Sequence, residues 1–234
     1  MRAASHLPVA VWDATVRVCH WWNALCVLVL IVFGSLLYAR DALHLTQPVE
    51  HVLIAIHATF GFALAAGVLT RLAYMLTGSG LAGWRDVLPH TPAQLALARR
   101  TLRYYLSGCR GECPLYFGHN PLAGFAYSGF FLFAVFQILT GAAMYLFGDG
   151  STAGYAHTLY TAQGKQAWPP APLMLAHALG GLMIAVFVLV HLLALALHDR
   201  VEARGLASSM ISGNKFFTPD ELEALEGRRE SEDQ

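Results

Sequence analysis

Residues Leu173 to Asp199 read LMLAHALGGLMIAVFVLVHLLALALHD, with no Asp, Glu, Lys or Arg before the last position. About 20 apolar residues in a helix cross the hydrocarbon core of a bilayer, so the stretch is long enough to span. Two histidines, His177 and His191, interrupt it. An ionisable group inside a membrane helix is costly and by default points to function. Fourteen helical residues advance by about 21 Å and turn back to within roughly 40° of the starting direction. Both imidazoles are therefore expected on one face, at two depths.

Three further stretches lack any charged residue over a spanning length: Val18 to Ala39, Val52 to Thr70 and Leu122 to Phe147. The 234-residue chain is 56% hydrophobic and 13% charged, against about 25% charged in soluble domains. The expected fold is all-α, an integral membrane four-helix transmembrane bundle with a cytoplasmic interfacial helix. Its spans are about 18–39, 52–76, 122–147 and 173–197, within one domain over residues 1–217. A short charged tail occupies residues 218–234. The formal net charge is zero, which gives no reason to expect nucleic acid as a partner. Arg2 is followed by a mixed segment holding Pro8, Asp13 and Arg17. That is not the layout of a cleaved signal peptide, so the first helix is expected to stay.

Thirteen of the fifteen basic residues lie at the N-terminus, from Arg71 to Arg110, or from Arg200 onward; only Arg40 and Lys165 fall elsewhere. The positive-inside rule then places both termini in the cytoplasm. In the segment TPAQLALARRTLRYYL, Thr91 can cap a helix begun by Pro92. Leu95, Leu102 and Leu106 would lie on one side of it, and Arg99, Arg100 and Arg103 on another. This suits a helix resting on the anionic inner leaflet. Thr218, Pro219 and Glu221 form a capping-box start for a short solvated helix ending near Gly227. The outer loop from Gly148 to Pro172 has no periodicity and reads as irregular.

Cys19 and Cys26 fall in the first span and Cys109 and Cys113 in a loop, so no secreted disulfide framework is expected and the loop pair reads as incidental. Four of the eleven histidines sit inside spans: His20, His57, His177 and His191. The other seven, His119 and His198 among them, lie in loops or at helix ends, where a solvated histidine needs no explanation. With alternating helix directions, depth pairs His57 with His177 near the outer surface and His20 with His191 near the inner one. Two facing imidazole pairs are what two bis-histidine b haems require, with neutral nitrogen ligands on opposite sides of each macrocycle. Gly61, Gly180 and Gly181 would leave room for a porphyrin face. The alternative is that each histidine bonds across helices in a haem-free anchor or transporter. Transport lacks intramembrane carboxylates and paired repeat halves.

The segments RVCHWWNA (Arg17 to Ala24), GHNPLAGFAYSGFFLFAVFQILTGAAMY (Gly118 to Tyr145), the His177/His191 helix and SSMISGNK (Ser208 to Lys215) together carry a resemblance. The chain resembles the b-type cytochrome subunit of membrane-bound, uptake-type nickel-iron hydrogenases, and is also similar to the gamma subunit of respiratory formate dehydrogenases. The resemblance implies an inner-membrane, multi-pass electron-transfer subunit that anchors the hydrogenase small (iron-sulfur) and large (nickel-iron) subunits. Electrons would pass through the outer and then the inner haem to quinone. A cytochrome b of formate dehydrogenase or another outer-face dehydrogenase is the alternative within the same class. The resemblance also gives Arg17 as a partner for a haem propionate, where the residue alone reads equally as a positive-inside anchor. Asn120 becomes a quinone contact, where the residue alone reads as the N-cap preceding Pro121.

Overall fold

A computed structural model describes residues 6–146, 157–161, 164–168, 171–202 and 204–232. In chain order the elements are β1 (Leu7–Ala10), α1 (Ala14–Tyr38), α2 (Gln47–Thr77), a 3-10 turn (Gly80–Ala82), α3 (Trp84–Val87) and α4 (Pro92–Leu106). There follow α5 (Pro121–Leu146), β2 (His157–Thr161), β3 (Gly164–Trp168), α6 (Ala171–Glu202), α7 (Leu206–Ser212), β4 (Asn214–Phe217) and α8 (Pro219–Glu232). Among the described residues, α1, α2, α5 and α6 are the four helices long and apolar enough to cross a membrane. At 25 to 32 residues each, they exceed the roughly 20 residues that a bilayer core demands. The surplus takes in Glu50, Arg71, Arg200 and Glu202 near helix ends. The chain divides into two compact units, residues 1–20, 71–129 and 190–234, and residues 21–70 and 130–189.

The second unit is built as a lipid-solvated bundle. Ile54, Val68 and Met144 are almost wholly buried, while Leu28, Leu69, Leu132 and Leu139 stay more than half exposed. Lipid tails are as apolar as leucine, so helix association there depends on close packing and interhelical hydrogen bonds. Trp22 Nε1 donates to the Ala63 carbonyl at 2.9 Å. Gly67 lets α1 and α2 approach so closely that a Cβ in its place would lie 2.2 Å from Asn23 Oδ1. Hydroxyls with no better partner, such as Thr59, bond back to the carbonyl four residues earlier. The outer loop differs from expectation: β2 and β3 pair antiparallel, His157 opposite Trp168 and Thr161 opposite Gly164. Strands this short display too little alternation to be read from periodicity. The rest of that loop, residues 147–156 included, lies outside the described residues.

The first unit resembles a soluble core. β1 pairs with β4 in antiparallel register, Leu7 with Phe217 and Ala10 with Asn214. The two ends of the chain are thereby joined, and Val11, Trp12, Val16 and Ala82 pack into a cluster with Met210 and Tyr74. Trp12 Nε1 donates to Ser209 Oγ at 3.0 Å. Thr91 caps α4 as expected, and with Gln94 it forms a capping box. Its buried face is Ala98, Thr101 and Tyr104, while Leu95, Leu102 and Leu106 remain exposed, as a helix lying on a bilayer requires. The α8 capping box also forms, Glu221 N–H to Thr218 Oγ1 and Thr218 N–H to Glu221 Oε2. The helix runs on past Gly227 to Glu232, however, and it is docked rather than solvated: Leu225 is buried and Glu221 pairs with Arg204 at 2.9 Å.

Candidate haem-binding site

The second unit brings His57 on α2 to His177 on α6, ring centroids 6.2 Å apart. In the first unit His20 on α1 faces His191 on α6 at 6.5 Å. An imidazole nitrogen sits about 2 Å from a bound metal. Two such ligands on opposite sides of one ion therefore hold their ring centroids roughly 6 Å apart. Both separations fit this arrangement, and the pairs are those expected from depth alone.

A cavity of about 630 Å³ opens between His57 and His177, within the range of roughly 300–1,000 Å³ typical of cofactor sites. Its wall is mainly apolar, with Leu30, Ile31, Leu64 and Met144 among the lining residues. Such a wall suits a macrocycle with hydrophobic faces. Gly61 lines it with open space where a side chain would stand, in line with the expectation for that residue. Gly180 behaves differently, because a Cβ there would lie 2.3 Å from Gln137 Oε1; it serves the close approach of α5 and α6.

The imidazoles are seated by residues that the sequence reading passed over. Thr140 Oγ1 donates to the Phe136 carbonyl at 2.9 Å and lies 2.8 Å from His177 Nδ1. With its own proton committed to Phe136, the hydroxyl accepts the Nδ1 proton. This selects the tautomer whose Nε2 lone pair is available to a metal. Gln137 Nε2 donates to the His177 carbonyl at 2.9 Å. Gly141 and Gly34 press on the two rings: a Cβ would stand 3.1 Å from His177 Cε1 and 3.0 Å from His57 Cε1, respectively. Among the described residues His57 Nδ1 is buried without a partner, so the two members of the pair are not equivalently supported. Polar residues inside a span carry the same signal as the histidines. On that ground Gln137 and Thr140 were findable.

Around the second pair, Tyr127 packs on His191 with ring centroids 6.4 Å apart. Arg17 donates through Nη1 to the Ile211 carbonyl, and its Nε is buried with no partner among the described residues. An orphaned guanidinium donor beside His20 in the chain fits an anionic acceptor such as a propionate. Asn120 caps α5, its Oδ1 accepting the Leu122 N–H at 2.9 Å. The carboxamide oxygen is thus committed to the helix start.

Two histidines that needed no explanation as loop or helix-end residues are not solvated: His198 is buried and His119 largely so. His198 bonds Tyr116 Oη at 2.7 Å and Glu202 Oε2 at 3.0 Å. His119 bonds Asp86. Lys215 is also buried, donating to the carbonyls of Phe117 and Gly118. Burial pushes its ammonium down to about 7, against the opposing pull of Asp86 and Glu202. Burial alone would lower the Arg204 guanidinium too, yet its hydrogen bonds to Glu221 hold it above the ordinary value. All four cysteines are free thiols, Cys19 and Cys26 buried and Cys109 and Cys113 partly so.

Comparison with known proteins agrees with this chemistry. The chain is 32% identical over 230 residues to a protein of Bradyrhizobium diazoefficiens named "Probable Ni/Fe-hydrogenase B-type cytochrome subunit", covering 92% of this chain and 89% of that one. A protein of the same name from Cupriavidus necator is 32% identical over 233 residues, 88% and 86% of the two chains. The Escherichia coli K12 "Probable Ni/Fe-hydrogenase 1 B-type cytochrome subunit" is 27% identical over 214 residues, 87% and 88% of the two. Residues 11–213 match the family described as prokaryotic cytochrome b561, and the chain belongs to that family: it is an integral membrane cytochrome of the b type, a haem b protein.

Proposed function

We propose that the protein is the membrane electron-transfer subunit of a nickel-iron hydrogenase, holding two b haems and passing electrons from the hydrogenase to quinone. The single observation that carries the reading is the pairing of His57 with His177 and of His20 with His191 at the ring separation of axial ligands. The names of the relatives, each a hydrogenase B-type cytochrome subunit, supply the partner. When bound, haem provides a one-electron carrier with no need for proton transfer at the iron.

The residues of the chain do the rest. His57 and His177 present neutral nitrogens to the outer centre, Thr140 fixes the tautomer of one of them, and the apolar wall keeps water away. His20 and His191 do the same for the inner centre, where the orphaned Arg17 Nε is available to a propionate. With both termini in the cytoplasm of an inner-membrane orientation, the small iron-sulfur and large nickel-iron subunits dock outside, next to the outer centre. Quinone is then reduced near His191.

A reduced-minus-oxidised spectrum with haem quantified per chain tests the cofactor, and the expected result is a b-type α band with two haems. His57→Ala or His177→Ala should remove one centre and leave the other. A chain without the band, or removal of both centres by His57→Ala in a protein that otherwise folds, refutes the assignment. Tagging the cytochrome and assaying nickel in what copurifies tests the partner, and a nickel-free dehydrogenase in its place would transfer the reading to another complex.

A further inference from the structure

Electron transfer alone has no use for the partly buried acid–base pair in the first unit. His119 Nδ1 lies 2.5 Å from Asp86 Oδ2, and the same oxygen accepts the His119 N–H at 3.0 Å. The two side chains are 9% and 20% exposed. The carboxylate closes onto the loop only because position 118 is glycine, where a Cβ would lie 2.5 Å from both carboxylate oxygens. With Nδ1 committed to Asp86, the working nitrogen of His119 is Nε2. The ring packs at a tilt against Trp12, centroids 4.6 Å apart, and meets Tyr127 edge-on at 5.4 Å. Tyr127 is the ring that packs on His191. A histidine oriented by a carboxylate thus stands one aromatic ring away from the inner histidine pair.

We propose that the Asp86–His119 pair supplies the protons for quinone reduction at the inner centre, and this rests on the quinone-reducing reading above. Reducing a quinone to a quinol takes two electrons, delivered from the partner dehydrogenase through the cytochrome. It also takes two protons, one on each carbonyl oxygen. His119 in its imidazolium form gives up the Nε2 proton while Asp86 retains the Nδ1–H bond. Water on the polar side of the membrane reprotonates Nε2 once per proton delivered. A histidine held at fixed orientation by a carboxylate has the geometry that general acid catalysis needs.

The titratable groups set about His119 are Asp86 from α3 and Tyr127 from α5, with Lys215 of β4 on the carbonyls of the two residues before it. Lys215 is a positioning residue. Its ammonium lies 2.9 and 2.7 Å from the Phe117 and Gly118 carbonyls and over the rings of Trp12 and Tyr116. It holds the loop that presents His119.

The test uses two oxidants on the reduced, haem-loaded protein: a short-chain ubiquinone analogue, which needs protons, and ferricyanide, which does not. His119→Gln and Asp86→Asn should slow oxidation by the quinone by about 10²- to 10⁴-fold, the usual contribution of a general acid. They should also abolish its acid-side pH dependence, with the spectrum and the ferricyanide rate unchanged. Unchanged quinone kinetics and pH profile in both variants would overturn the proposal, and so would equal losses with both oxidants, which would mean a structural role. If quinone fails to oxidise even the parent protein while ferricyanide succeeds, the quinone-reducing reading itself falls and takes the proton role with it.

Discussion

Thr140→Val isolates what one hydroxyl contributes to the haem site proposed at His57 and His177. Valine keeps the shape and removes the acceptor that lies 2.8 Å from His177 Nδ1. The Phe136 and Gln137 carbonyls that received the hydroxyl keep their own helical bonds, so the loss falls on the histidine. A buried donor left unpaired costs about 1–3 kcal/mol. Nothing then prevents the proton from moving to Nε2, the nitrogen that must bind iron. Partners of this kind typically change metal affinity by roughly 10- to 100-fold, which agrees with that energy. Losing the acceptor also makes the imidazole a weaker base, and a weaker base stabilises ferric iron less. The midpoint potential of the outer centre should therefore rise, by on the order of 60 mV for each tenfold change in relative affinity. Haem transfer to excess apomyoglobin measures the first effect and a redox titration the second, with Thr140→Ser expected to restore both. Parental haem retention and potential in Thr140→Val would refute the assignment of the tautomer to Thr140.

Gly34→Val places a branched side chain where even a Cβ stands 3.0 Å from His57 Cε1; it should displace that ring and halve the haem content, read by pyridine haemochrome. Arg204→Met leaves the Glu202 carboxylate, 2% exposed, without its guanidinium partner; breaking a buried pair from one side costs about 3–5 kcal/mol. The expected result is release of α8, read as new protease cleavage between residues 213 and 232. Lys215 has its folded pKa near 7, below the unfolded value of about 10.4. The unfolded chain therefore binds more protons between these values, and stability should rise with pH across that window and lie flat below pH 7. The penalty below pH 7 is about 5 kcal/mol at most. Lys215→Met should remove the rise, measured as denaturation midpoints from pH 6 to pH 10, and an unchanged slope would refute the burial argument.

The spans and the histidine pairs were legible because both follow from a local cost. An uncharged run long enough to cross a bilayer has few other uses, and an imidazole inside it needs a reason that depth alone can sort into pairs. The first unit was not legible, because its burial depends on contacts between residues far apart in sequence. Only when β4 pairs with β1 does Lys215 pass beneath Trp12, and only then is the loop carrying His119 closed over Asp86. Each of these residues lies outside the uncharged spans, where a solvated side chain is the default expectation. The same long-range closure explains α8, whose charged sequence reads as solvated until Glu221 is seen to reach Arg204.

Histidine therefore has two environments in this chain, and each follows from the solvent around it. In the spans an imidazole has few polar neighbours. At His177 the neighbour is Thr140, which takes the Nδ1 proton and leaves Nε2 open. In the first unit His119 and His198 each face a carboxylate, Asp86 and Glu202. Each carboxylate accepts a ring N–H and so fixes which nitrogen stays open. In both environments it is the neighbours that orient the imidazole. Exchanging the acceptor at His177 tests this: Thr140→Asp offers Nδ1 a carboxylate in place of the hydroxyl and should retain haem at the proposed site where Thr140→Val loses it. Haem loss in Thr140→Asp equal to that in Thr140→Val would show that the acceptor at Nδ1 does not control binding.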